Sequence, residues 1–134
     1  MRAFFDTNVL VYTVTSDPRK QQADRILRAG GVASVQALNE FANVAHNKLR
    51  HSWTEIEHAL NQFRLSFEAI WPLTLGTHTA AIGLAREHSL SFYDALIVAA
   101  AIEAGCDILY SEDMQHGRAI GGLTIRNPFI ESAP

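Results

Sequence analysis

The chain of 134 residues has one cysteine, Cys106. A lone cysteine makes no internal disulfide and no thiolate zinc cage. Histidine does not fill that gap. None of His46, His51, His58, His78, His88 and His116 pairs as a helical His-x-x-x-His. The four prolines and eight glycines form no linker, and there is no low-complexity tract or internal repeat. Long apolar runs are missing too. The longest, Ala95 to Ile102, falls far short of the ~20 residues that span a bilayer. The opening Met1-Arg2-Ala3-Phe4-Phe5-Asp6 meets a carboxylate too early for a signal peptide. A soluble, cytoplasmic protein without a membrane partner is the expectation. Positive charge is scarce, with 11 basic residues against 14 acidic and a net charge of −3. That excludes a scaffold that grips nucleic acid by a large positive field.

Hydrophobic residues make up 48% and charged residues 19%, which suits a folded chain. A chain of this length buries roughly two-thirds of its unfolded surface, enough for one core. We expect a single domain over residues 1–134. Short apolar runs alternate with longer helical patterns. Five short strands are expected, at residues 2–5, 32–33, 69–73, 107–110 and 123–126. Between them six helices are expected. The first runs over Val9 to Val14. The second enters at Asp17-Pro18 and ends at Gly30-Gly31. Ser34 caps the third, and Thr54 with Glu57 makes a capping box for the fourth. The fifth starts near Thr77. Ser91 caps a sixth that is apolar nearly all round and therefore buried. Strands separated by helices imply an α/β fold with a mostly parallel sheet covered on both faces. Ligands in such sheets bind beyond the carboxyl ends of the strands.

Four acidic residues fall where that rule places chemistry. Asp6 follows the first strand, Glu40 lies in the third helix, Asp94 in the first turn of the sixth, and Asp113 just past the strand ending at Tyr110. Each has an ordinary role open to it. Asp6, Asp94 and Asp113 suit helix starts, and Glu40 suits a solvated helix face. Capping does not explain all four, because Glu40 is mid-helix. Two carboxylates ~4 Å apart repel by roughly 4 kcal/mol at an effective dielectric near 20. A group of four takes up protons or a cation. Hard oxygen donors without His or Cys favour Mg²⁺ or Mn²⁺ over zinc.

The same residues resemble a known family. Phe4-Phe5-Asp6-Thr7-Asn8-Val9-Leu10 is similar to the opening signature of PIN-domain ribonucleases. Ser34 to Phe41, with Glu40, resembles their second signature, and Ser91 to Ala101, with Asp94, their third. Leu109-Tyr110-Ser111-Glu112-Asp113-Met114 resembles the fourth, with Ser111 where many members have Thr. The resemblance covers essentially the whole chain, and its strength lies in four motifs in order. It implies a three-layer α/β/α fold and a Mg²⁺- or Mn²⁺-dependent endoribonuclease that cuts RNA by water attack. Small PIN proteins are mostly VapC-type toxins, which implies a cognate antitoxin and commonly a homodimer. The resemblance assigns Asp6, Glu40, Asp94 and Asp113 to the catalytic metal site. Thr7, Asn8 and Ser111 match supporting polar positions, and Glu112 stands beside Asp113 as an assisting or substituting acid.

Other residues are read more plainly. Trp53 and Trp71 are assigned to core or interface rather than to base stacking, and Cys106 to packing. Arg19, Lys20, Arg25 and Arg28 form a solvated helix face that offers at most phosphate contacts. Phe63, Leu65 and Phe67 fit a partner surface or the core. The alternative function is a non-catalytic PIN-like module that binds RNA or protein. A phosphotransfer receiver would want a second Asp at position 8 and a Lys on a late strand. Position 8 is Asn, and the lysines are Lys20 and Lys48. Removing the four proposed site acids leaves 10 acidic against 11 basic residues, so the negative balance is concentrated in one place.

Overall fold

The computed structural model describes residues 1–130. Six strands form one sheet in the order β3-β2-β1-β4-β6-β5. These are β1 (Ala3–Phe5), β2 (Val32–Ser34), β3 (Ala69–Trp71), β4 (Ile108–Tyr110), β5 (Ala119–Ile120) and β6 (Leu123–Arg126). All pairings are parallel except β5 with β6. Six helices accompany them: α1 (Thr7–Tyr12), α2 (Lys20–Arg28), α3 (Val35–Asn47), α4 (Trp53–Ser66), α5 (Leu75–His88) and α6 (Phe92–Glu103). The architecture is the expected three-layer α/β/α. Adjacent residues Phe4 and Phe5 are both buried, as are Val32 and Ala33, so both faces of the sheet are covered. Among the described residues no helix is long and apolar enough to cross a membrane.

The extra strand is β5. Two residues carry no alternating pattern of their own, and Ala119 and Ile120 become strand only by pairing with Thr124 and Leu123. Helix starts also shift. Ser52, not Thr54, caps α4, with Glu55 completing the capping box in place of Glu57. Thr74 caps α5 at Leu75, upstream of the expected start near Thr77. Asp17 holds the amide of Arg19 in a turn before α2, so that helix begins at Lys20. The caps Ser34 and Ser91 stand where the sequence places them.

Register lines up the carboxyl ends of the inner strands. Phe5 sits opposite Tyr110 across β1 and β4, and Ser34 opposite Trp71 across β2 and β3. The chain leaves β1 to pair β2 on one side and β4 on the other, a topological switch point. Gly31 permits the close approach beneath it. A Cβ there, at φ +157°, would fall 2.7 Å from the Ala3 carbonyl oxygen and from the Phe5 ring.

Candidate active site

Asp6 is the first residue beyond β1, and its amide donates to the Tyr110 carbonyl at 3.0 Å. It then turns the chain into α1 as N-cap, with extended backbone. One carboxylate oxygen accepts from the Thr7 amide at 2.7 Å. The other accepts from the Ser111 hydroxyl, also at 2.7 Å. The side chain is thus both a helix cap and something more, since Ser111 belongs to the far side of the switch point. Asp6 is only 4% exposed. Burial pushes its carboxyl up to about 7, against the opposing pull of Ser111 and Thr7, and the charges of Asp94 and Asp113 add to the rise.

Thr7 and Asn8 continue from that turn to two other elements. The Thr7 hydroxyl donates to Glu40 Oε2 on α3 at 2.5 Å. Half-burial raises the Glu40 carboxyl, Thr7 and Gln36, one turn earlier on α3, both pull it down, and Asp94 and Asp113 raise it further. The Asn8 amide donates to Asp113 Oδ2 at 2.7 Å. Asp113 lies in the turn after β4, where the Ser111 hydroxyl accepts from the amides of Asp113 and Met114, both at 3.3 Å. Partial burial raises the Asp113 carboxyl, followed by the charges of Glu112 and Asp94. Asp94 sits in the first turn of α6, its amide bonded to the Ser91 cap at 3.3 Å. Its charge acts on Asp6, Glu40 and Asp113 alike, so all four acids share one electrostatic neighbourhood.

Glu112 has a different situation from the four. It accepts from the Tyr12 hydroxyl and pairs with Arg19 Nη1 at 3.1 Å. Asn8 reaches it only at 3.5 Å. Arg19 in turn lies 4.4 Å over the Tyr12 ring and is clamped by Asp17 at 2.9 Å. The structure makes Glu112 the anchor of the β4 turn against α1 and α2. Tyr12 and Arg19 are the residues that sequence reasoning missed. One signal was available: Tyr12 follows Asn8 by four residues, so the two share a face of α1.

Other residues settle as follows. The His116 ring accepts from the Asn127 amide at 3.0 Å, as a loop residue. Cys106 is buried, and burial raises its thiol to about 11. Phe63 and Phe67 are core, stacked on each other and, through Phe67, on Phe5, while Leu65 is exposed. Trp71 is half-buried on β3, but Trp53 is 58% exposed and lies outside the core, stacked on the His46 ring.

The donor set fits a hard divalent cation, being carboxylate oxygen supported by hydroxyl and amide groups. Among the described residues, no three acidic, His or Cys side chains stand close enough together to grip an ion. Mg²⁺ in any case takes one or two directly and reaches the others through water.

The model of the PIN domain family matches residues 3–120. The chain belongs to the PIN domain family. Solved structures with a PIN-like arrangement agree in fold. VapC20 of Mycobacterium tuberculosis, a Sarcin-Ricin loop cleaving toxin, superposes with a TM-score of 0.67 at 20% identity, over 81% of this chain and 88% of that one. A toxin–antitoxin complex from Klebsiella pneumoniae gives 0.69 at 22% identity, over 95% and 98%. VapBC2 of Rickettsia felis, bound to a DNA fragment from its promoter, gives 0.68 at 19%, over 95% and 98%. No curated protein matches this PIN chain in sequence.

Proposed function

We propose that this PIN protein is a Mg²⁺- or Mn²⁺-dependent endoribonuclease and the toxin of a toxin–antitoxin pair. The observation that carries the reading is the buried Asp6 at the end of β1, held by Ser111 and the Thr7 amide and without a cationic partner among the described residues, with Thr7 and Asn8 reaching on to Glu40 and Asp113. A carboxyl in that state either keeps a proton or takes a metal. Asp6, Glu40, Asp94 and Asp113 would hold the ion. When bound, such an ion supplies a nucleophilic water near neutral pH and neutralises charge on the phosphoryl group.

The chain's own residues do the positioning. Ser111 and the Thr7 amide fix both oxygens of Asp6. Thr7 aims Glu40, and Asn8 aims Asp113. Ser111, Thr7 and Asn8 thereby fix the orientation of three of the four acids before any RNA or metal arrives. A similar fold in a Sarcin-Ricin loop cleaving toxin and in toxin–antitoxin complexes supports RNA as substrate and an antitoxin as partner.

RNA-end mapping after expression of wild type and Asp94→Asn tests the reading. New RNA ends should appear with the wild type and not with the variant, provided that melting shows the variant folded. A folded Asp94→Asn that cuts at the wild-type rate would remove the site assignment. Intact RNA with metal-loaded wild type would remove the activity. Co-expression of the small protein encoded beside the gene should suppress the new ends if it is the antitoxin.

A further inference from the structure

The far end of α3 carries a second cluster that the acids do not use. His46, Asn47, Arg50 and His51 line one open cleft. The His46 ring lies 3.9 Å from the Trp53 ring, with 20° between their planes. His46 Nδ1 stands 3.3 Å from the His51 carbonyl, which fixes the ring from below. Trp53 is 58% exposed, so the outer face of this stack meets solvent. Arg50 adopts φ +62°, a conformation that Gly or Asn takes at lower cost than Arg. That turn lets the His51 amide bond the Ala45 carbonyl at 2.9 Å and sets Arg50 and His51 side by side. Among the described residues no ion pair reaches Arg50 or Lys48, whereas Arg19 and Lys20 are both paired. The nearby Glu55 is occupied by the Ser52 cap, and its charge is partly balanced by His51.

α3 joins this cluster to the acids. Gln36, Glu40, Asn43 and Asn47 fall at positions i, i+4, i+7 and i+11, a single stripe on the helix. Asn47 donates to Asn43 at 2.5 Å along that stripe. From Glu40 to Asn47 the helix rises roughly 10 Å. Phosphates repeat about every 3.4 Å along one strand of a duplex, so a strand with that stacking laid along α3 would place about three nucleotides in the interval. Unpaired cations beside an exposed aromatic face are the equipment for single-stranded nucleic acid, with phosphates on the cations and a base on the ring.

We propose that the α3–α4 turn is an RNA-strand subsite, in which Arg50 and His51 take backbone phosphate and the His46–Trp53 stack takes a base about three nucleotides from the acids. The proposal rests on RNA being the ligand of the acidic site, and its test separates the two. The probe is a fluorescein-labelled 12-nucleotide RNA of randomised sequence. Its binding to full-length protein is followed by anisotropy over a salt series with EDTA, so that no cleavage occurs. Arg50→Gly removes the guanidinium and relieves the backbone. It should weaken binding and flatten the slope of log affinity against log salt by about 0.7, the share of one single-strand phosphate. Trp53→Ala should weaken binding at least about fivefold with the slope unchanged, and Trp53→Phe should restore part of the loss. A merely structural role would move neither the slope nor the rescue. 5-Iodouridine in the same RNA should crosslink to Trp53 on irradiation.

Wild-type affinity and slope in both variants would overturn the subsite while leaving the nuclease reading intact. Loss of binding in the variants of a protein that cuts no RNA would uphold the subsite and remove the nuclease. Unchanged RNA binding with loss of a co-purifying acidic protein would overturn it in favour of a protein contact.

Discussion

Asp6 and Glu112 occupy the same edge of the sheet and meet opposite fates. Asp6 is buried, held by one hydroxyl and one amide, and no cation reaches it among the described residues. Glu112 has Arg19 and the Tyr12 hydroxyl. The first carboxyl is pushed up to about 7, while the second has its charge matched by the protein itself. A carboxylate with its own arginine is finished as structure. One denied a cation in a desolvated place is open to an ion from solution. The adjacent acids Glu112 and Asp113 divide in the same way: Glu112 faces the arginine, and Asp113 faces Asn8 and the shared neighbourhood.

The comparison breaks most sharply at Asp6→Asn. The amide can still accept from Thr7 and donate to the Ser111 oxygen, so the fold should persist. RNA cleavage should fall by roughly a thousandfold or more, since the lost ion is worth several kcal/mol to the transition state. The shift in Tm produced by Mn²⁺ should vanish with it. A variant that keeps both would return Asp6 to the status of a helix cap.

A smaller effect lies in pH. In metal-free protein the folded state holds the Asp6 proton up to about pH 7, whereas the unfolded chain releases it near 3.8. Between those values the unfolded state binds fewer protons, so stability falls as pH rises, by about 1.4 kcal/mol per unit. The raised carboxyls of Glu40 and Asp113 act in the same direction. The surface carboxylates Asp17 and Glu55 are lowered, so their losses come only in more acidic solution. Tm in EDTA should therefore drop between pH 5 and pH 7.5. Mn²⁺ should restore it at 7.5 and do little at 5, where protons compete. A flat metal-free profile would mean that Asp6 is already balanced within the protein.

The smallest effects belong to the other half of the comparison. Glu112→Gln should lower apparent Mn²⁺ affinity about tenfold, as loss of outer support does, without abolishing cleavage. Arg19→Ala should shift Tm least of all, because the Arg19 side chain is exposed to solvent. If Glu112→Gln proved as damaging as Asp6→Asn, Glu112 would belong among the metal acids.

What the sequence disclosed follows the range of the forces involved. The turn from Phe5 to Asn8 and the caps Ser34 and Ser91 were legible because capping chemistry acts within four residues. The buried α6 was legible from its unbroken apolar run. The overlapping pairs Ser52–Glu55 and Thr54–Glu57 satisfy the same spacing, so the pattern alone does not choose between them, and the chain uses the first. The partnership of Tyr12 and Arg19 with Glu112 spans about a hundred residues of chain, which no local pattern records. Trp53 lies outside the core for a related reason: aromatic character says nothing about which ring falls on an exposed helix face.

Asp6, Thr7 and Asn8 each hold a different piece of the molecule: the β4 turn at Ser111, α3 at Glu40, and the acidic loop at Asp113. Three of the four acids are therefore tied to a single turn of backbone, while Asp94 is held apart on α6. Opening that turn releases all three attachments together, so its amides belong to one cooperative unit with the sheet centre. The Asp6 amide, bonded to Tyr110 between β1 and β4, should exchange its hydrogen only when those strands part. The free energy that keeps the acids aimed is then close to the free energy that keeps the protein folded.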